Sequence, residues 1–152
     1  MIIEYSQLAD IRKKHHDKTI VLGGGSFDLL HYGHVQYIQK LTEYGHIVVV
    51  GIKCDIEVVK EKGTKRPIIP EADRLKIIDA IRGVDYSYIV PPNTGIIPPI
   101  KNLKPDYYVT TNSRWEHLKE LNLTEVIIGP RFCDGHFPST TSIVKHITAT
   151  HS

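Results

Sequence analysis

A chain of 152 residues, 41% apolar and 24% charged, is long enough for one well-buried core and has the composition of an ordinary globular protein. Its formal net charge of +2 is too small to make nucleic acid the expected partner, and its basic residues are not gathered into aromatic-studded stretches. No apolar run is long enough to span a bilayer, and Met1-Ile2-Ile3-Glu4 lacks the basic and apolar regions of a signal peptide. Cys54 and Cys133 lie far apart and read as free thiols in a reducing compartment, so the expectation is a cytoplasmic, single-domain protein over 1–152 with its core at about 18–148.

In chain order, residues 6–16 read as an initial helix outside the core repeat. Residues 19–22 are apolar and β-branched, and they stop at Gly23-Gly24-Gly25, the pattern of a buried strand ending in a tight turn. Val35, Ile38 and Leu41 then recur with helical period up to Gly45. Further strands are expected at 47–50, 86–90, 107–109 and 126–128. A basic stretch without periodicity, 60–66, reads as a mobile connection or as a lid carrying Lys62. A helix follows over 71–81 with Leu75, Ile78 and Ile81 inward, and an exposed arginine such as Arg74 is ordinary on such a helix. Pro91-Pro92-Asn93-Thr94-Gly95 and Pro98-Pro99 form a breaker-rich connection too short for a domain linker. Ile143, Val144 and Ile147 mark a last helix, with Ser139, Thr140 and Thr141 at its start in the place of a cap. Strands alternating with helices predict an α/β fold, a Rossmann-like, doubly wound, parallel five-stranded sheet with helices on both faces.

The densest chemistry lies where the first strand hands over to the second helix, in Gly24-Gly25-Ser26-Phe27-Asp28-Leu29-Leu30-His31-Tyr32-Gly33-His34. Glycine lets backbone approach a ligand, and the first turn of a helix offers unpaired N–H groups with partial positive charge. His31 and His34, three apart on a helical turn, face the same way and can both donate to one phosphate, taking up a proton as negative charge accumulates. A zinc site is the competing use of two imidazoles, but Cys54 and Cys133 lack the paired spacing such a site needs.

These residues resemble the signature Gly-Ser-Phe-Asp-x-x-His-x-Gly-His of the cytidylyltransferase-like nucleotidyltransferases. Two further stretches follow in the same order as in that family. Lys62-Gly63-Thr64-Lys65-Arg66-Pro67, with Pro70 and Arg74, is similar to the lysine loop and arginine-bearing helix start of heptose-1-phosphate adenylyltransferases. Asp134-Gly135 with Ser139-Thr140-Thr141-Ser142-Ile143 resembles the C-terminal Ser-Thr-Thr-x-Ile motif. Leu29-Leu30-His31-Tyr32-Gly33-His34 looks more like the glycerol-3-phosphate cytidylyltransferases, so ATP against CTP, and the acceptor, stay open.

The resemblance implies transfer of a nucleoside monophosphate from ATP or CTP to a phosphorylated sugar or polyol, with release of pyrophosphate. It implies catalytic roles for His31, His34 and Lys62 and nucleotide or phosphate contacts from Gly24, Gly25, Ser26, Phe27, Arg74, Asn112, Ser139, Thr140 and Thr141. It also implies Mg2+ travelling with the triphosphate and a homodimer, with no protein metal site, nucleic acid or membrane involved. The segment 109–115 departs from the family: Asn112 is read in the place of an aspartate, and an amide both donates and accepts. Trp115 is read as core first and as a stacking surface second. Bulky residues in 129–133 and 136–138 are also unusual. A domain that keeps the pocket but only senses nucleotide is the alternative the altered loop permits.

Overall fold

The computed structural model describes residues 1–129 and 139–150. Five parallel strands make one sheet in the order β3-β2-β1-β4-β5, with β1 at Ile20–Gly25, β2 at Ile47–Lys53, β3 at Tyr86–Val90, β4 at Tyr107–Thr110 and β5 at Glu125–Ile128. The helices are α1 (Leu8–Lys14), α2 (Tyr32–Leu41), α3 (Asp55–Lys62), α4 (Glu71–Asp79), α5 (Ile97–Leu103) and α6 (Thr140–Thr150), with 3-10 turns at Tyr5–Gln7 and Ser113–Leu121. The doubly wound α/β architecture expected from the alternation of elements is therefore present.

Side chains alternate across a strand, and the two faces of the sheet sort accordingly. Ile20, Leu22, Val49, Tyr88 and Tyr108 point to a core closed by α1, α5 and the second 3-10 helix through Leu8, Ile11, Ile100, Leu103 and Leu118. Val21, Val48, Val50, Ile52 and Val109 point to the other, closed by Tyr37, Ile38 and Leu41 of α2 and Ile78 of α4. Full burial of each such aliphatic side chain contributes roughly 1.5–3 kcal/mol, so the two layers jointly hold the sheet.

Three local expectations change. The first helix is not outside the core: Leu8 is fully buried and Ile11 nearly so, because α1 covers the sheet beside α5. The first strand does not stop at the glycines; it runs through them, pairing Gly23 with Val50, Gly24 with Gly51 and Gly25 with Ile52. At Gly23 a Cβ would lie 2.5 Å from a Leu41 methyl and 2.8 Å from the Tyr37 hydroxyl, so the bare backbone admits α2 rather than a ligand. Finally, Lys62 closes α3 instead of riding a loop. Gly63, at φ +87°, supplies the left-handed residue that ends the helix, and its N–H bonds the Val59 carbonyl at 2.8 Å.

The two central strands diverge where a site is to be expected. β1 pairs with β4 only at Val21–Tyr107 and Leu22–Tyr108. Beyond that, the buried Tyr37 hydroxyl spans the gap, accepting from the Gly24 N–H at 3.1 Å and donating to the Val109 carbonyl at 2.7 Å. The strand order reverses between β1 and β4, and in open parallel sheets ligands sit at the carboxyl ends of the strands at that switch.

Candidate active site

A cavity of about 800 Å³ opens at the switch point. Gly24, Gly25, Ser26, Phe27, His31, His34, Lys62, Asn112, Ser139, Thr140 and Thr141 all line it. Four segments distant in sequence deliver them: the end of β1 with the start of α2, the end of α3, the turn after β4, and the start of α6.

His31 and His34 stack with ring centroids 3.8 Å apart and planes inclined by 30°. His31 sits in extended backbone as the N-cap of α2, and its main-chain N–H donates to His34 Nδ1 at 3.3 Å. That bond makes Nδ1 of the neutral His34 ring an acceptor, which leaves Nε2–H as its donor. The buried Phe27, at φ +50°, packs edge-on against His34 with centroids 5.3 Å apart and holds the second ring from behind. Burial lowers the His31 pKa. Burial, then the charges of His31 and Lys62, push His34 down to about 4, with Asp28 opposing. Both rings are thus neutral donors at neutral pH before any anion arrives.

Behind the rings lies a buried polar scaffold. Asp28 accepts from the Ile68 N–H at 2.7 Å, the Ile69 N–H at 2.9 Å and the Arg66 guanidinium, anchoring the chain that follows Lys62. Burial alone raises the Asp28 pKa, but these donors outweigh it and hold the carboxyl below its usual range. Arg74 corrects the sequence expectation. Its side chain is fully buried and does not line the cavity. Its guanidinium bonds the Ser26 carbonyl, the Lys53 carbonyl at 2.8 Å, the Ile69 carbonyl at 2.9 Å and Asp55 Oδ1 at 2.6 Å. Arg74 therefore fixes the backbone that carries the site instead of touching a ligand.

At the opposite end, the Ser139 hydroxyl accepts from the Ser142 N–H at 3.1 Å in the manner of a helix cap, and Thr140 Oγ1 donates to the Leu29 carbonyl at 3.3 Å. The first-turn N–H groups of Thr140 and Thr141 have no intrahelical partner, so the cap leaves donors of the kind that an anion needs. Asn112 Oδ1 accepts from the Arg114 N–H at 3.1 Å. Trp115 packs against the core, as read first, and one side of it also lines the cavity. Asp134-Gly135 and most of the bulky segment 129–138 lie outside the described residues, as does Cys133; Cys54 is a buried free thiol.

Several lining residues escape a motif-based reading. Lys53, Glu57, Glu61 and Arg114 line the cavity as well. Lys53 ends β2, and Arg114 follows a strand, so a rule placing ligands at strand carboxyl ends would have found them. Lys62 is exposed at the cavity; partial burial of its stem, then Arg66 and Lys53, lower its pKa, with Asp28 and Glu61 opposing.

Comparison with known proteins identifies the family and the fold. A sequence model described as cytidylyltransferase-like matches residues 22–145. A bifunctional protein HldE from Helicobacter pylori (strain HPAG1) is 37% identical over 146 residues, covering 91% of this chain and 30% of that protein. Its counterpart from Geobacter metallireducens is 44% identical over 93 residues, covering 61% and 19%. The chain spans about 30% of the length of the first curated relatives it matches. Among solved structures, a lipopolysaccharide core biosynthesis protein from Thermoplasma volcanium superposes with a TM-score of 0.61 at 24% identity, covering 74% of this chain and 98% of that one. A pantoate-beta-alanine ligase from Francisella tularensis gives 0.52 at 14%, covering 86% and 66%. At these identities the likeness is one of fold.

Proposed function

The chain belongs to the cytidylyltransferase-like family, and from that premise we propose that it transfers a nucleoside monophosphate from ATP or CTP to a phosphorylated sugar or polyol, releasing pyrophosphate. The observation that carries this reading is the stacked pair His31–His34, with Nδ1 of the second ring occupied by a backbone N–H and the cavity in front of it.

The reaction is an in-line displacement at the α-phosphorus. The attacking phosphate oxygen is an anion at neutral pH, so the chain need supply no base, and positioning and charge stabilisation carry the acceleration. His31 and His34 donate to the α-phosphate and to the oxygen bridging it to the leaving group. Lys62 covers the triphosphate. Ser139, Thr140 and Thr141, with the α6 N-terminus, receive the departing pyrophosphate. Gly24, Gly25, Ser26 and Phe27 form the floor under the nucleotide, and Asn112 contributes an amide at its far side. A bound polyanion raises the pKa of both imidazoles, so charge that develops during transfer meets rings able to accept a proton.

The carboxylates that line the cavity are already engaged. Glu57 accepts from Lys60 and from the Asn93 N–H, and Glu61 from Lys53 and Arg114. Among the described residues no group of three or more His, Cys, Asp or Glu side chains is placed to hold a metal. In the proposed reaction Mg2+ travels with the triphosphate, held by phosphate oxygens and water. When bound, the ion neutralises part of the polyphosphate charge. The partners are then a nucleoside triphosphate and a small phosphorylated acceptor, met in the cytoplasm by one transferase unit over 1–152 that pairs as a homodimer; sedimentation equilibrium reads the last point. No helix among the described residues is long and apolar enough to cross a membrane.

Pyrophosphate release measured with ATP and with CTP, each against heptose 1-phosphate, glycerol 3-phosphate and related monoesters, tests the reaction. Turnover with one combination supports it. Tight nucleotide binding without pyrophosphate for any acceptor contradicts it and makes the domain a nucleotide sensor.

A further inference from the structure

Three cations line the cavity among the described residues: Lys53, Lys62 and Arg114. Lys62, with the imidazoles and the α6 N-terminus, is committed to the triphosphate in the function proposed above. A phosphorylated acceptor brings a second, separate dianion, and two like-charged polyanions share one cavity only if each has its own counter-charge. Lys53 and Arg114 are the lining cations left for it.

Their present partner marks the position. Lys53 Nζ and Arg114 Nη2 converge on one and the same oxygen, Glu61 Oε1, at 2.5 and 3.3 Å. Lys53 is at the end of β2, Glu61 is in the last turn of α3, and Arg114 follows β4, so the triad links three elements around the cavity. The Arg114 guanidinium lies 4.6 Å over the Trp115 ring, which keeps its plane aligned. An oxyanion held between an ammonium and a guanidinium is the arrangement a phosphate monoester needs. The glutamate carries one charge where a phosphate carries two, and it uses one oxygen for both cations.

We infer that Lys53 and Arg114 form the binding subsite for the acceptor's phosphate, and that Glu61 occupies it as an internal placeholder until a dianion displaces it. The inference rests on the transfer reaction proposed above. It makes the site selective for phosphate monoesters over monoanionic carboxylates, because a single negative charge gains little by replacing the one already there. Glu61 is a positioning residue in this scheme; it keeps both cations ordered in the empty cavity and sets the threshold for displacement.

The test separates the subsite from the reaction. The full chain is saturated with α,β-methylene ATP or α,β-methylene CTP, and inorganic phosphate is titrated in while amide NMR shifts are followed. Lys53→Ala and Arg114→Ala should each weaken phosphate binding by about ten- to a hundredfold, the range for losing a charge-assisted contact, while triphosphate affinity stays within about twofold. Glu61→Gln should tighten phosphate binding by roughly three- to tenfold by removing the competitor. Should Lys53→Ala lose its fold, Lys53→Met keeps the stem and removes only the charge. Phosphate affinity unchanged in both cation variants overturns the inference. So does a loss of triphosphate affinity equal to the loss for phosphate, which would place both cations in the nucleotide subsite. Failure of both analogues to bind the wild-type chain is a different result: it refutes the transfer reaction, and the subsite falls with it.

Discussion

The two lips of the cavity are built on opposite principles. On the β1 side, Asp28 and Arg74 are buried charges saturated by backbone carbonyls and N–H groups, and they fix the backbone around the imidazole pair from behind. On the β4 side, Arg114 is half exposed and held by one shared carboxylate and an aromatic face. A buried charge that loses its partner is left uncompensated, whereas an exposed pair exchanges its partner for water at little cost. In the proposed reaction, the contrast assigns rigidity to the groups that meet the α-phosphorus and adaptability to the groups that receive the acceptor.

The sharpest way to break the contrast is at its buried end. Arg74→Met leaves three carbonyls and Asp55 without their donor, and should cost about 3–5 kcal/mol of stability in urea unfolding. A cost below about 1 kcal/mol would mean that the scaffold is not what fixes the site. His34→Ala and His31→Ala come next: removing a preorganised donor lowers kcat by ~10²–10³ in a pyrophosphate-release assay while thermal unfolding stays near wild type. Either variant within a few-fold of wild type would remove the rings from the chemistry.

Acid provides a third, graded test. His34 titrates near 4 in the folded chain, and its ordinary value is 6.5. The unfolded state therefore binds more protons between these pH values, so this contribution to stability is fully present above pH 6.5 and is lost as pH falls toward 4. The denaturation midpoint should drop across that window, and His34→Ala should flatten the slope. Smallest of all, Arg114→Ala should change stability by less than about 1 kcal/mol, as expected of an exposed pair, whatever it does to acceptor binding.

Much of this architecture was legible because its signals are local. The strand at Tyr86–Val90 was located to the residue by its apolar pattern and flanking turn residues, and the others to within a few residues. The imidazole pair was legible because three-residue spacing on a helix puts two rings on one face. What the residues alone did not reveal was long-range. The glycine run reads as a turn, and only its partner strand shows that it continues the sheet. Arg74 reads as a surface arginine on an amphipathic helix; its burial depends on carbonyls of residues 26, 53 and 69 that no helical period announces. The Tyr37 hydroxyl bridges the two strands that part at the site, a role that helical spacing does not announce. Lys53 lies in no recognisable motif and Arg114 in the segment 109–115 that departs from the family, and the two come together only through the fold.

A crystal structure of the chain with α,β-methylene ATP or α,β-methylene CTP would test the central claim most directly. The account predicts the α-phosphate within hydrogen-bonding distance of Nε2 of both His31 and His34, with the β and γ phosphates at Lys62 and the first turn of α6. Phosphates seated away from the two rings, or rings turned so that neither Nε2 reaches an oxygen, would contradict it.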